Sequence, residues 1–420
     1  MKFNNRIVQR LPALASRDFA IFWVGHFLSL IGTSIQNTAQ PLLAYRISGR
    51  PFDLGLIAFA ATLPTFFLAI PGGVLIEHVD KRKAIIFMQT IMMVDTFVLA
   101  FLTLTNLVQI WHIVILSLVL GIATAFETTA RQSMLIELVG REALPNAIAL
   151  QSTAFNLSRV LGPTLAALAL ISFTKNGEGW IFLLNGISFI TIIIGLFFVQ
   201  AKFKAPVEPR TRPMLEELKE GTQYLFTNPS VGFLIIIAAV LGILAFPITQ
   251  QLPVVSKDIL RQATDTKSIV DMRNSLIYTA QGIGALTAAF MITFNNAARH
   301  RGLRLLLGEA TFILGMIAIP FSHSLGPALV VISLMGWGAV IQLATMNTLI
   351  QLQVPNSLRG RVFSIYLWAL QGVTPFGSLL IGWMTQEFSL SVTALICGIT
   401  SLVIIGSIQL FQPNIRKSDG

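Results

Sequence analysis

One cysteine, five histidines and four tyrosines in 420 residues leave little material for side-chain chemistry. A single thiol, Cys397, excludes a disulfide within the chain. With so few histidines beside it, a metal-ligand cluster has nothing to draw on. Charge is scarce too: 11% of residues are charged and 54% are hydrophobic, with a mean hydropathy of +0.74. A soluble domain carries about 25% charged residues, so one large soluble core is excluded. The sequence also lacks a Gly-Lys-Ser/Thr phosphate loop, a His-Glu-x-x-His pair and a Gly-x-Ser-x-Gly elbow. Without them the chain reads as a non-enzyme that needs no cofactor and does not itself hydrolyse ATP. If it does work across a membrane, ion gradients remain as the energy source.

What the sequence has in abundance is apolar runs long enough to cross a bilayer. Twelve spans are predicted, at roughly 19–43, 54–76, 84–106, 108–130, 146–172, 179–200, 230–254, 269–294, 303–322, 326–351, 360–385 and 389–411. The basic stretch Met1 to Arg17 precedes an apolar run without a small-residue cleavage site, so that run is expected to be a retained first span. The chain divides into an N-terminal six-helix bundle (1–200), a cytoplasmic linker (201–228) and a C-terminal six-helix bundle (229–420).

The net charge of +10 would invite nucleic acid in a soluble protein. Here the cations sit in short loops on one side: Lys2, Arg6, Arg10, Arg17, Lys81, Arg82, Lys83, Arg131, Arg141, the linker, Arg299, Arg301, Arg304, Arg359, Arg361, Arg416 and Lys417. The opposite loops hold Arg46, Arg50, Lys175, Lys257, Arg261 and Lys267. This bias places both termini in the cytoplasm. In the linker, Ala205-Pro206-Val207-Glu208-Pro209 breaks any helix. The segment from Pro213 to Leu225 then reads as a short amphipathic helix, lying on the inner membrane surface or solvated. Pro41 and Pro253, Gly72 and Gly284, and Pro163 and Pro375 are each 212 positions apart, a weak internal repeat that fits two pseudo-symmetric halves.

Ionisable residues inside apolar spans mark candidate function, because inserting a charge near the bilayer centre costs about 2.5–3.5 kcal/mol. Arg159 lies some 13 residues into the fifth span, near the midplane at about 1.5 Å per residue. It is a candidate for contact with substrate or a coupling carboxylate, or for a structural pair between helices. Asp95 lies at similar depth in the third span. Burial disfavours a bare carboxylate, so Asp95 is a candidate for carrying a proton or for pairing with Arg159. Glu127 and Glu309 lie toward the inner ends of the fourth and ninth spans as candidate gates. Asp271 and Arg273 are expected at the interface. Gln36, Asn37 and Gln40 gather on one side of the first span, fit either to bond a polar substrate or to join a neighbouring helix. Their counterpart is the polar, doubly broken stretch Pro247-Ile248-Thr249-Gln250-Gln251-Leu252-Pro253; Gln371 adds a polar position in the eleventh span. Paired interruptions in two halves point to a binding site between repeats.

The stretch Gly73-Val74-Leu75-Ile76-Glu77-His78-Val79-Asp80-Lys81-Arg82-Lys83 resembles the signature between the second and third helices of the major facilitator superfamily. Glu77 stands for the commoner Asp there, and His78 for the usual Arg. Arg159-Val160-Leu161-Gly162-Pro163 resembles the fifth-helix element of drug-efflux antiporters of that superfamily, with Ala166 and Ala167 where a later glycine is usual. Further stretches resemble the bacterial branch that contains the enterobactin exporter and related transmembrane secretion effectors. They are Ser16-Arg17-Asp18-Phe19, Ala130-Arg131-Gln132-Ser133, Leu144-Pro145-Asn146-Ala147, Phe155 to Arg159 and Leu358-Arg359-Gly360-Arg361-Val362.

The resemblance implies an all-α membrane protein of the major facilitator fold in the bacterial inner membrane. It implies a monomer that takes protons, a small-molecule substrate and the lipid bilayer as partners, and no nucleic acid. The implied activity is proton-coupled efflux of a small amphipathic molecule by alternating access. A lysophospholipid flippase and a non-transporting receptor or assembly protein are the alternatives. It further implies a cytoplasmic latch of Gly73, Glu77, Asp80, Lys81, Arg82, Arg131, Arg359 and Arg361, with Glu77 reaching a helix start near Leu358 to Arg361 and bridging to Arg131. The implied pathway residues are Gln36, Asn37, Gln40, Asp95, Glu127, Arg159, Gly162, Pro163, Gln250, Glu309 and Gln371.

Overall fold

Every regular element among the described residues is helical. The computed structural model describes residues 12–77, 79–173, 176–201, 214–294, 300–355 and 358–412, apart from the side chains of 69–77, 141, 171, 214–219 and 293–294. The elements are α1 (Arg17–Ser48), α2 (Pro51–Glu77), α3 (Lys81–Leu104), α4 (Ile110–Ser172), α5 (Gly177–Phe198) and α6 (Met214–Thr227). They continue with α7 (Pro229–Ile259), then α8 (Lys267–Phe294), α9 (Arg301–Ala318), α10 (Leu325–Gln353), α11 (Arg359–Leu367) and α12 (Thr374–Phe411). Ten of the described helical stretches are long and apolar enough to span a membrane. Since a bilayer offers the backbone no partners, an apolar chain of this kind satisfies its amides within helices.

The local sequence sets where helices begin and bend. Asp80 caps α3 by accepting a hydrogen bond from the Lys83 amide at 3.1 Å, which satisfies one of the open amides of the first turn. α7 starts with Pro229 in its first turn and then runs through π and 3-10 turns around Pro247 and Pro253. Each proline removes a donor and crowds the preceding turn, so the predicted double interruption of the seventh span is present. Within α4 the one break is Gly140 (φ 73°, ψ 172°). The loop expected over 131–145 is therefore helical on both sides of a single residue, because glycine alone tolerates that conformation at little cost. α12 breaks at Ser389 (φ 76°, ψ 158°).

The helices form two compact units, one of 1–47 and 63–208, the other of 48–62 and 209–420. In the first, α3 packs against α5 and α4, and α1 approaches α5 where Gly25 leaves room for the Ile192 backbone. In the second, α10 is the hub for α8 and α9. Gly284 of α8 lies so near the Ser333 carbonyl of α10 that no side chain fits between them, an approach of the kind that small residues permit in membrane helices. The start of α2 belongs to this second unit, with Gly55 against Ser378 and Gly382 of α12 and Phe59 edge-on to Phe376.

α6 is neither a solvated linker helix nor only a surface one. It docks on the first turns of α11 and the end of α10: Gly221 meets Ile365 and Arg361, Glu220 pairs with Arg361, and the Tyr224 hydroxyl donates to the Gln353 carbonyl at 3.1 Å.

Candidate functional site

In the first unit the polar end of α1 forms a buried amide network. Gln36 Oε1 accepts from Asn185 Nδ2 of α5 at 2.7 Å and from Thr96 Oγ1 of α3 at 3.4 Å. Its Nε2 donates to Gln40 Oε1 at 2.9 Å, and Gln40 Nε2 donates to Ser117 Oγ of α4 at 2.9 Å. Four helices are thus joined through two glutamines. Asn37 is exposed and not part of the network, because one residue turns the helix by about 100°. Asn185 and Ser117 lacked a signal in the sequence, being single polar residues in apolar runs.

Asp95 neighbours this network through Thr96. It is 4% exposed, and its Oδ1 has no hydrogen-bond partner among the described residues. The pair with Arg159, one of the two alternatives for Asp95, is not formed. Arg159 instead lies with its guanidinium carbon 5.9 Å from the ring centre of Phe155, one turn earlier, and has no carboxylate partner among the described residues. A cation over an aromatic face recovers part of what desolvation takes away. Gly162 packs directly on Ser34 of α1, and Pro163 is buried beside it. The Gly-Pro element is therefore a place where α4 and α1 pack closely.

The loop cations of the first unit are held by groups of the same unit. Lys81 pairs with Glu137. Arg82 donates to the Phe197 carbonyl at 2.9 Å, one of the open carbonyls at the end of α5. Arg131 Nε contacts both Glu127 oxygens at 3.0 and 3.3 Å, and its Nη1 donates to Gln151 at 3.2 Å. Glu127, 4% exposed, also accepts from Gln89 at 3.4 Å. It is a buried, paired acid rather than one reaching to the membrane surface. The pair with Arg131 was readable as a four-residue spacing on one helix, whereas Glu137, Gln89 and Gln151 come from folding alone. The side chains of Gly73 and Glu77 and all of His78 lie outside the described residues, so the bridge from Glu77 to Arg131 does too. Of the remaining latch residues, Arg359 is exposed and Arg361 is held by Glu220.

In the second unit Glu309 of α9 is 1% exposed, and its Oε2 accepts from Gln409 Nε2 of α12 at 2.9 Å. Gln250 is half-buried; its neighbour Gln251 is the fully buried one, donating to the Pro51 carbonyl at 3.3 Å. Gln371 is exposed. Asp271 and Arg273, expected at the interface, are 2% and 4% exposed. Arg273 is sunk between α7 and the loop before α8, donating to Ser256 O at 2.9 Å and forking onto Asp265 at 3.0 and 2.7 Å. That fork holds the Asp265 carboxyl below its ordinary value, first through the hydrogen bonds from Arg273 and then through the Gln262 amide.

A family model for transmembrane secretion effectors matches residues 9–419. Among curated proteins, the multidrug efflux pump Tap of Mycolicibacterium fortuitum is 23% identical over 397 residues, covering 92% of this chain and 94% of its own. The enterobactin exporter EntS of Escherichia coli O157:H7 is 24% identical over 415 residues, covering 96% of each. Among solved structures, the nucleoside transporter NupG superposes with a TM-score of 0.70 at 12% identity, over 94% of this chain and 98% of that one. A bacterial homolog of the human lysosomal transporter Spinster gives 0.68 at 13%, over 96% and 98%. At such identities the structural matches speak for the fold alone.

Proposed function

The chain belongs to the transmembrane secretion effector family of major facilitator transporters, and from that premise we propose that it exports a small amphipathic molecule by antiport with protons. It is an all-helical, multi-pass membrane protein. In our reading it has twelve spans in two six-helix bundles, sits in the inner membrane with both termini cytoplasmic, and works by alternating access. The relatives named as an enterobactin exporter and a multidrug efflux pump support the efflux reading.

The observation that carries the coupling claim is Asp95. A carboxylate 4% exposed, with one oxygen lacking a partner among the described residues, is costly for a static scaffold to hold in a membrane. A carrier that takes up and releases a proton uses such a group. Arg159, at similar depth and with no carboxylate beside it among the described residues, suits the substrate side of the cycle. The latch reading of Glu77 with the loop cations belongs to the same cycle as a proposal.

The direct test reconstitutes the full chain in liposomes with the amphipathic dye ethidium and follows flux with and without an imposed pH gradient. Acceleration by the gradient, reduced in Asp95→Asn, is expected. Flux indifferent to the gradient overturns proton antiport. Comparing the metabolites of deletion and overexpression strains then identifies the natural substrate.

A further inference from the structure

The second unit buries a carboxylate that the amide network and cation pairs of the first leave unexplained. Glu309 is 1% exposed, and its Oε1 has no hydrogen-bond partner among the described residues. Gln409, whose amide holds the other oxygen, leaves its own Oε1 without a partner there as well. Gln342 of α10 is fully buried, and neither atom of its amide has a partner among the described residues. Its backbone crosses α9 one residue before Glu309, since a methyl group on Gly308 would touch the Gln342 backbone nitrogen and Cβ. Buried polar atoms without partners cost stability, and α9 and α12 bring two of them together in the Glu309–Gln409 pair.

The helices packed around Glu309 bring no compensating positive charge. α10 contains no charged or titratable residue, and α12 has Glu387 near its break and Cys397. α7, which meets α9 through Phe246 and Phe312, carries Lys257 and Asp258 at its far end. On α9 itself, Arg304 lies five residues before Glu309, about 140° around the helix at about 100° per residue. Arg301 lies in the first turn. Neither arginine pairs with Glu309; the described contact of that carboxyl is Gln409. A site with one acid, no opposing charge and spare amide oxygens is neutral only when it holds a cation.

We propose that Glu309, with Gln409 beside it, is a buried cation site in the second unit whose occupant is a proton taken up and released in the transport cycle. The proposal rests on the proton-antiport reading above for the cycle, and on the geometry for the site. Loading forms an O–H bond at Oε1, the oxygen without a partner, and leaves a neutral carboxyl. Unloading returns that proton to water and restores a carboxylate still held at Oε2 by the Gln409 amide. The near-inner position of Glu309, eight residues into α9, suits release toward the cytoplasm.

Infrared difference spectra of the purified full chain in lipid nanodiscs, stepped in pH, test this without any substrate. The C=O band of a protonated carboxyl should rise and fall with pH and vanish in Glu309→Gln. In Gln409→Leu it should persist but shift, because the hydrogen bond to Oε2 is gone. That variant keeps the assignment testable if Glu309→Gln fails to fold. A band insensitive to pH marks a permanently neutral structural acid and overturns the proposal. So does a spectrum in which no band depends on Glu309 or Gln409. A carboxylate signal responding to added sodium at fixed pH overturns the proton as occupant.

Ethidium flux separates this proposal from the reading it rests on. Gradient-driven flux in the wild type that survives intact in Glu309→Gln sinks the Glu309 site and leaves antiport standing. Gradient-indifferent flux alongside a titrating Glu309 band sinks antiport while leaving a proton site at Glu309 that does not drive the cycle.

Discussion

Gln36 holds Asn185, Thr96 and Gln40 together, whereas Asn37, one residue further along α1, is exposed. Gln36→Ala strips the donor from Gln40 and the acceptor from Asn185 inside a buried network, a loss of about 1–3 kcal/mol. Asn37→Ala should stay within about 0.5 kcal/mol. Thermal unfolding in detergent reads both, and an unchanged melting temperature for Gln36→Ala would return that residue to a purely substrate-binding role. The sequence made the amide cluster visible but not which member faces inward, because a helix that is apolar nearly all round has no hydrophobic stripe to orient it. The Asp265–Arg273 fork was hidden for a different reason. Asp265 looks like an ordinary loop charge and Arg273 like an interfacial one until folding sinks Arg273 beneath Ser256. Since folding lowers the Asp265 carboxyl below its ordinary value of about 3.9, the fork stabilises the protein above that value. The contribution is lost as pH falls through the lower, folded-state value. Wild type should therefore lose melting temperature over that acidic window, while Asp265→Asn starts lower at pH 7 and loses less across it.

Single residues also decide where elements end. Gly140 and Ser389 adopt nearly the same backbone, φ 73° and ψ 172° against φ 76° and ψ 158°, in a region that costs about 1–3 kcal/mol for any residue with a side chain. At Gly140 the sequence already supplies glycine, and at Ser389 it does not. Opposite outcomes follow: Gly140→Ala should lower the melting temperature. Ser389→Gly should raise it, by the relieved strain less about 0.5–1 kcal/mol for the freer unfolded glycine. Two falling melting temperatures would mean that the Ser389 side chain stabilises the break. The positions of the breaks were only partly legible, since a charged stretch such as 131–145 reads as a loop when its charges are in fact used along a helix. Glu127–Arg131 and Lys81–Glu137 show how: the polar face of α4 is matched to partners that no local pattern announces. The docking of α6 was hidden likewise. Glu220 and Arg361 are 141 residues apart in sequence, the Gly221 contacts with Arg361 and Ile365 span a similar distance, and amphipathicity alone says only that one face is covered.

At the scale of the molecule, the number of crossings depends on whether the second limb of α4, 141–172, spans the membrane. Hydropathy and length select Ile110–Gly140 as a span but not this limb. Its composition explains why: Arg141, Glu142, Asn146, Gln151, Asn156 and Arg159 dilute the apolar residues, as expected of a helix with a polar face turned to protein or cavity rather than lipid. Length is no obstacle, because 32 residues at about 1.5 Å reach about 48 Å against a hydrocarbon core of about 30 Å. The cation bias agrees, since Lys81 to Lys83 and Arg299 to Arg304 share the inner side only if this limb crosses. The one native cysteine makes the point measurable: in a Cys397→Ser background, Arg141→Cys and Asn176→Cys flank the limb. A membrane-impermeant thiol reagent applied to intact cells should label the cysteine at 176 directly and that at 141 only after the membrane is opened. Labelling of neither position until the membrane is opened would place both ends of the limb inside, reverse every later helix, and put the cations of α9 and α11 outside, where the bias of the rest of the chain forbids them.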